Sequence, residues 1–199
     1  MTERLKGIAG SMFAGKTEIL IDEVVRAKIA KKNVQVFKPV IDNRWSVNEI
    51  HSHSDKVYPA TPVENALEII SQLETDTDLV AIDEVQFFGP EIVDVVHFLL
   101  EQDIRVIFAG LSLDFRGEPF GSMPELLALC DELVRPVAVC DIEIDGMVCG
   151  KKATKTQRII DGKPANYHDP IILIGASQEY QARCPNHHVV PGKPKPNLK

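Results

Sequence analysis

Eight residues near the start of the chain, Gly10-Ser11-Met12-Phe13-Ala14-Gly15-Lys16-Thr17, follow the pattern G-x-x-x-x-G-K-[ST]. The glycines let backbone N–H groups turn inward around phosphate oxygens. The lysine then bridges β- and γ-phosphates and the threonine hydroxyl ligates Mg²⁺. A helix opening directly after such a loop aims its positive end at the same anion. Random placement of these residue types would give the pattern in roughly 0.4% of chains this long, so it reads as a nucleoside-triphosphate site.

A second candidate is Asp83-Glu84, which closes the apolar run Leu79-Val80-Ala81-Ile82. Side chains at the carboxyl end of a parallel strand project into the crevice where ligands bind. One carboxylate there suits the Mg²⁺ shell. The second suits a base that takes a proton, either from water, giving an ATPase, or from a substrate hydroxyl, giving a kinase. A third group is Cys140, Cys149, Cys184 and His187. Three thiolates and an imidazole suit tetrahedral Zn²⁺, and four protein ligands leave no open position, so such a zinc is structural. His188 is the alternative to His187, the C-x-x-H spacing favouring His187; buried thiols without metal are the alternative to the cluster. Cys130 lies in a short helical run and reads as a small core residue.

These residues need elements to hold them. A strand over 5–9 precedes the loop, and a helix over 17–32 follows it, with an apolar stripe of Ile19, Leu20, Ile21, Val24, Val25 and Ile29 and a stop at Asn33. Strands are expected over 34–37, 79–82, 105–109 and 133–139, and helices over 63–73, 90–101 and 124–129, with 40–62 as a loop. Alternating strands and helices predict an α/β domain with a parallel sheet over residues 1–139. Short segments rich in glycine, cysteine and histidine predict a small appended domain over 140–190, and residues 191–199 a disordered tail.

Composition narrows the function. With 22 Lys and Arg against 29 Asp and Glu, the chain carries a formal charge of −7, which argues against gripping nucleic acid along its backbone. No apolar run approaches the ~18–20 residues needed to span a bilayer, and the start lacks the apolar core of a signal peptide. The expectation is a cytoplasmic protein with neither a nucleic-acid nor a membrane partner.

More of the sequence falls into place as an ordered set. After the phosphate loop come Lys38-Pro39-Val40-Ile41-Asp42-Asn43-Arg44, Asp83-Glu84-Val85-Gln86-Phe87-Phe88 and Gly117-Glu118-Pro119-Phe120-Gly121, then Thr156-Gln157-Arg158, Ile174-Gly175 and Glu179-Tyr180 before Cys184. Over about residues 5–190 this resembles the type II thymidine kinases. The resemblance implies a RecA-like phosphate-loop α/β domain with a mainly parallel sheet, plus a small zinc-binding domain carrying a lasso loop over the nucleoside. It implies transfer of the ATP γ-phosphate to the 5′-hydroxyl of thymidine, with Glu84 as catalytic base and Asp83 with Thr17 at Mg²⁺. ATP contacts would come from residues 10–17 with Asp42, Arg44, Asp83 and Gln86. Nucleoside contacts would come from Met12, Phe87, Phe115, Phe120 and Thr156, from Ile171, Ile172, Leu173, Ile174 and Gly175 of a lasso over 159–180, and from Tyr180. Structural Zn²⁺, a homotetramer and feedback inhibition by thymidine triphosphate belong to the same expectation. Two features depart from the family pattern. Residues 141–148 separate Cys140 from Cys149 where C-x-x-C is usual, and Ser112 stands where an acidic residue is frequent. Outside this family, the rival readings are an ATPase on the same scaffold and a zinc-ribbon nucleic-acid binder.

Overall fold

The computed structural model describes residues 3–41, 48–52, 56–172 and 178–195. It divides into two compact units. The first draws on Met1–Gly10, Gly15–Ser112 and Phe120–Pro136, the second on Ser11–Ala14, Leu113–Pro119 and Val137–Lys199.

The first unit is a three-layer α/β structure. Its elements are β1 (Leu5–Gly10), α1 (Lys16–Ile29), β2 (Val34–Pro39), β3 (Glu49–His51), β4 (Val57–Pro59), β5 (Thr61–Val63), α2 (Leu67–Ser71), β6 (Leu79–Ile82), α3 (Glu91–Glu101), β7 (Arg105–Leu111), α4 (Met123–Leu129) and β8 (Glu132–Val134). Six of these strands form one sheet in the order β5-β2-β6-β7-β1-β8, and every pairing in it is parallel. Because side chains alternate along a strand, the sheet feeds two cores. On one face Ile8, Ala81, Ile107 and Ala109 pack with Leu20, Ile21 and Val24 of α1. On the other, Phe37, Val80, Ile82 and Phe108 pack with residues of α2, α3 and α4. Both faces are covered, which is why 79–82 is apolar throughout rather than alternating. Each fully buried leucine, isoleucine or valine of these layers contributes about 1.5–3 kcal/mol.

The register sets where the following segments begin. Gly10 pairs with Leu111 and Ile82 with Phe108, so the carboxyl ends of β1, β7 and β6 lie side by side. The phosphate loop leaves the first and Asp83-Glu84 leave the last.

The second unit contains β9 (Ala138–Val139), β10 (Glu143–Ile144), β11 (Met147–Val148), β12 (Lys152–Ala153), β13 (Lys155–Ile160), β14 (Lys163–Pro164) and β15 (Gln178–Arg183). They pair as β10-β11, β12-β9 and β14-β13-β15, antiparallel throughout.

Several expected elements differ. The segment 40–62 is not simply a loop, since β3 and β4 form an antiparallel hairpin and β5 adds a parallel edge strand beside β2. That edge strand takes residue 63, and the helix expected over 63–73 shrinks to Leu67–Ser71. The strand expected over 133–139 breaks at Pro136 into β8 and β9, a proline being unable to donate to the ladder. Asn33 does not stop α1. Lys31 takes the left-handed conformation, φ 59, while the Asn33 amide donates to Asp76 and its backbone N–H to Asp78. Of the tail expected over 191–199, residues 191–195 are described; the Pro191 carbonyl accepts the Tyr167 N–H at 2.8 Å and Lys193 Nζ donates to the Arg116 carbonyl. Among the described residues no helix is long and apolar enough to cross a membrane.

Candidate functional site

The phosphate-loop sequence lies between β1 and α1. Gly15, at φ 79, caps α1 in the left-handed region that a glycine adopts without steric cost, and Lys16 follows as the first helical residue, 8% exposed. The N-terminal N–H groups of α1 have no partner within the helix, which is what makes such an end an anion site.

In the first unit an acidic corner follows β6. Thr17 Oγ1 donates to Asp83 Oδ2 at 3.0 Å, and Asp83 Oδ1 accepts the Glu84 N–H at 3.0 Å. Neighbouring ligands of octahedral Mg²⁺, at 2.0–2.1 Å from the ion, stand about 2.9 Å apart, so Thr17 and Asp83 suit adjacent corners of its shell. Glu84 is buried and left-handed, φ 49 and ψ 40. A glutamate in that region is uncommon, and such outliers persist where the surroundings enforce them. Gln86 sits in the 3-10 turn Val85–Phe87 that follows. Its Nε2 donates to Glu84 Oε2 and its Oε1 accepts the Leu111 N–H at 3.0 Å. Phe87 and Phe120 meet edge to face, 5.5 Å between ring centroids.

In the second unit the middle of the phosphate loop has its own partners. Ser11 Oγ donates to the Ala153 carbonyl and the Met12 N–H to Thr156 Oγ1, each at 3.0 Å. Phe13 is left-handed and Ala14 is buried among Cys140, Ala153 and Cys184. Phe115 is 4% exposed. The Arg158 guanidinium lies over its ring, 3.7 Å from the centroid, and His188 Nε2 stands 2.9 Å from its carbonyl. Arg158 also donates to the Ile171 carbonyl, while Ile171 and Ile172 are exposed. Tyr180 stands opposite Arg158 in the β13-β15 register. Sequence reasoning missed the roles of Arg158 and His188, because a charged residue inside a strand and the second of two histidines carry no distinctive signal. Asp114, the other carboxylate near Ser112, is turned inward. Its Oδ1 accepts the N–H groups of Arg116 and Glu118 at 2.9 and 3.0 Å. Asp42, Arg44, Leu173, Ile174 and Gly175 lie outside the described residues.

Cys140, Cys149, Cys184 and His187 come together, with their ligand atoms all within 4.8 Å of one another. The separations are 3.7 Å from Cys140 Sγ to His187 Nδ1, 3.5 Å from Cys184 Sγ to the same nitrogen, and 4.0 Å from Cys149 Sγ to Cys184 Sγ. A tetrahedron with sulfur at ~2.3 Å and nitrogen at ~2.0 Å from zinc has edges of about 3.5–3.8 Å, so the donor set fits that ion. Burial pushes the Cys140 thiol up, but the Cys184 N–H, His187 and the Ile142 N–H outweigh it and bring it down to about 6. A thiolate is the form that binds metal. His188 is turned to the Phe115 carbonyl instead.

The wide C-x8-C spacing has a local explanation. Residues 141–148 fold back as the β10-β11 hairpin, and its Asp145-Gly146 turn has φ 51 and 76, as a two-residue type I′ turn requires. The returning chain is tied by Cys149 N–H to the Ile142 carbonyl and Gly150 N–H to the Cys140 carbonyl. The second cysteine thereby returns to the first. Cys130, outside this group, donates to the Leu126 carbonyl, and burial pushes its thiol up to about 11.

Comparison with known proteins gives two findings. The family model described as thymidine kinase matches residues 3–188. Among solved structures, the Thermotoga maritima RuvB Holliday junction branch migration motor is similar at 13% identity and a TM-score of 0.39. That match covers 67% of this chain, which spans 37% of the motor's length.

Proposed function

The chain belongs to the thymidine kinase family, and we propose that it transfers the γ-phosphate of ATP to the 5′-hydroxyl of thymidine, giving thymidine monophosphate for nucleotide salvage and DNA synthesis. The observation that carries the reading is the corner after β6, where Thr17 and Asp83 stand 3.0 Å apart with a buried, left-handed Glu84 beside them.

Phosphoryl transfer asks a protein mainly to position reactants and to meet developing charge. The loop amides and Lys16 hold the β- and γ-phosphates at the N-terminus of α1. Bound Mg²⁺, which Thr17 and Asp83 would hold, neutralises charge on the phosphate oxygens. Glu84 takes the proton of the 5′-hydroxyl as that oxygen bonds to the γ-phosphorus and the bond to the departing ADP oxygen breaks. Phe115, Thr156, Tyr180 and the chain at 171–175 are offered as contacts to the nucleoside on the family resemblance. Cys140, Cys149, Cys184 and His187 would hold a structural Zn²⁺, since four protein ligands leave no position for a reactant. A cytoplasmic homotetramer inhibited by thymidine triphosphate completes the reading.

The test is transfer of label from γ-labelled ATP with Mg²⁺ across a panel of nucleosides. Label in thymidine monophosphate, with thymidine a far better acceptor than purine nucleosides, is the expected result. Label released only as inorganic phosphate, whatever nucleoside is present, would make the protein an ATPase.

A further inference from the structure

Gln86 is held more tightly than a residue that only greets a nucleotide needs to be. It is 3% exposed, and its amide joins two groups of fixed polarity. The Leu111 N–H can only donate and the Glu84 carboxylate can only accept, so the amide has one orientation, with Oε1 on Leu111 and Nε2 on Glu84. Two glycines from other segments clear the space. A Cβ on Gly110 would stand 2.6 Å from Gln86 Oε1, and a Cβ on Gly121, φ 51, would stand 2.6 Å from the Gln86 carbonyl oxygen. Both distances are far inside van der Waals contact. The sheet therefore grips one end of the amide through β7, and the other end grips the carboxylate.

We propose that Gln86 is a positioning residue for phosphoryl transfer, fixing the rotamer of the Glu84 carboxylate so that the base meets the substrate hydroxyl without first having to be ordered. This rests on the reading of Glu84 as base. A hydrogen bond from a neutral amide to a carboxylate in a water-poor corner is of the stronger, charge-assisted kind. Losing it removes one restraint on the geometry in which the carboxylate must meet the hydroxyl.

A double-mutant cycle tests this on the full-length chain. Gln86→Leu should lower kcat about 10- to 100-fold, with KM for ATP and for thymidine each within about threefold of the parent. In a Glu84→Gln background the same substitution should cost less than about threefold, because the group it acts through is gone. Gln86→Glu keeps an acceptor for the Leu111 N–H but sets a second carboxylate against Glu84 in place of the donor, so it should lose turnover at least as severely, and ATP and thymidine binding measured on each variant guards against a folding defect. Equal costs of Gln86→Leu in both backgrounds, or a raised KM for ATP at unchanged kcat, would overturn the proposal while leaving Glu84 as base. Near-normal turnover of Glu84→Gln alone would instead overturn the reading on which it rests.

Discussion

The acidic corner after β6 and the Cys/His cluster are built by opposite means. The first is local in sequence and borrows its precision from a sheet. Asp83, Glu84 and Gln86 lie within four residues of chain, and β6 and β7, paired in register from Leu79 opposite Arg105 to Ile82 opposite Phe108, decide where they stand. The second is assembled from residues up to 47 positions apart, just beyond the ends of strands of two to six residues that bury only a small apolar cluster. A large core can hold a residue in an uncommon backbone conformation, as at Glu84. A small one must obtain its rigidity elsewhere, and four convergent metal ligands are one way to do so.

Changes that break this contrast should do so in a definite order. Cys184→Ser removes a donor that lies 3.5 Å from His187. Bound zinc should fall from one per chain toward zero, and the second unit should lose a stabilisation on the order of 10 kcal/mol. Hydrogen exchange should then speed up across β13 and β15 while β1, β6 and β7 stay protected; retained protection in β13 and β15 would show that the cluster is not what orders them. Lys16→Met acts on the other side of the contrast. Phosphoryl transfer should fall about 10²–10³-fold, with metal content and thermal midpoint unchanged.

Gly146→Ala is milder. The position sits at φ 76 with nothing near a new Cβ, so the cost is backbone strain alone, about 1–2 kcal/mol, read as a midpoint lower by roughly 2–8 °C. The smallest effect is expected at Asp131. The Leu5 and Arg4 N–H groups hold its carboxyl below the ordinary carboxylate value. A lowered folded pKa contributes stability above the ordinary carboxylate pKa and loses it as pH falls through the lower folded value. Asp131→Asn should therefore be slightly less stable than the parent at neutral pH, with the gap closing toward pH 3. A gap constant from pH 7 to 3 would remove the carboxylate from the account.

Much of the first unit was legible because its signals are local. The loop pattern, the apolar run at 79–82 and the stripe of α1 each fit within a few turns or one strand. What failed there was non-local. The edge strand β5 forms because β2 offers it a partner, and Lys31 rather than Asn33 turns the chain out of α1 because Asn33 is engaged by Asp76 and Asp78. In the second unit the four clustered residues were legible by type, but the reason Cys149 returns to Cys140 lay in an unread Asp-Gly turn, a signal repeated at Asp161-Gly162 with φ 49 and 72. The Gln86 bridge had no signal in the sequence, since a partner on Leu111 is fixed only by strand register.

The most direct test of Glu84 as the base is turnover of Glu84→Gln with both ligands bound. That role predicts ATP and thymidine binding close to the parent's and phosphoryl transfer slower by about 10²–10⁴-fold. Transfer to thymidine at near the parental rate, with binding intact, would contradict it.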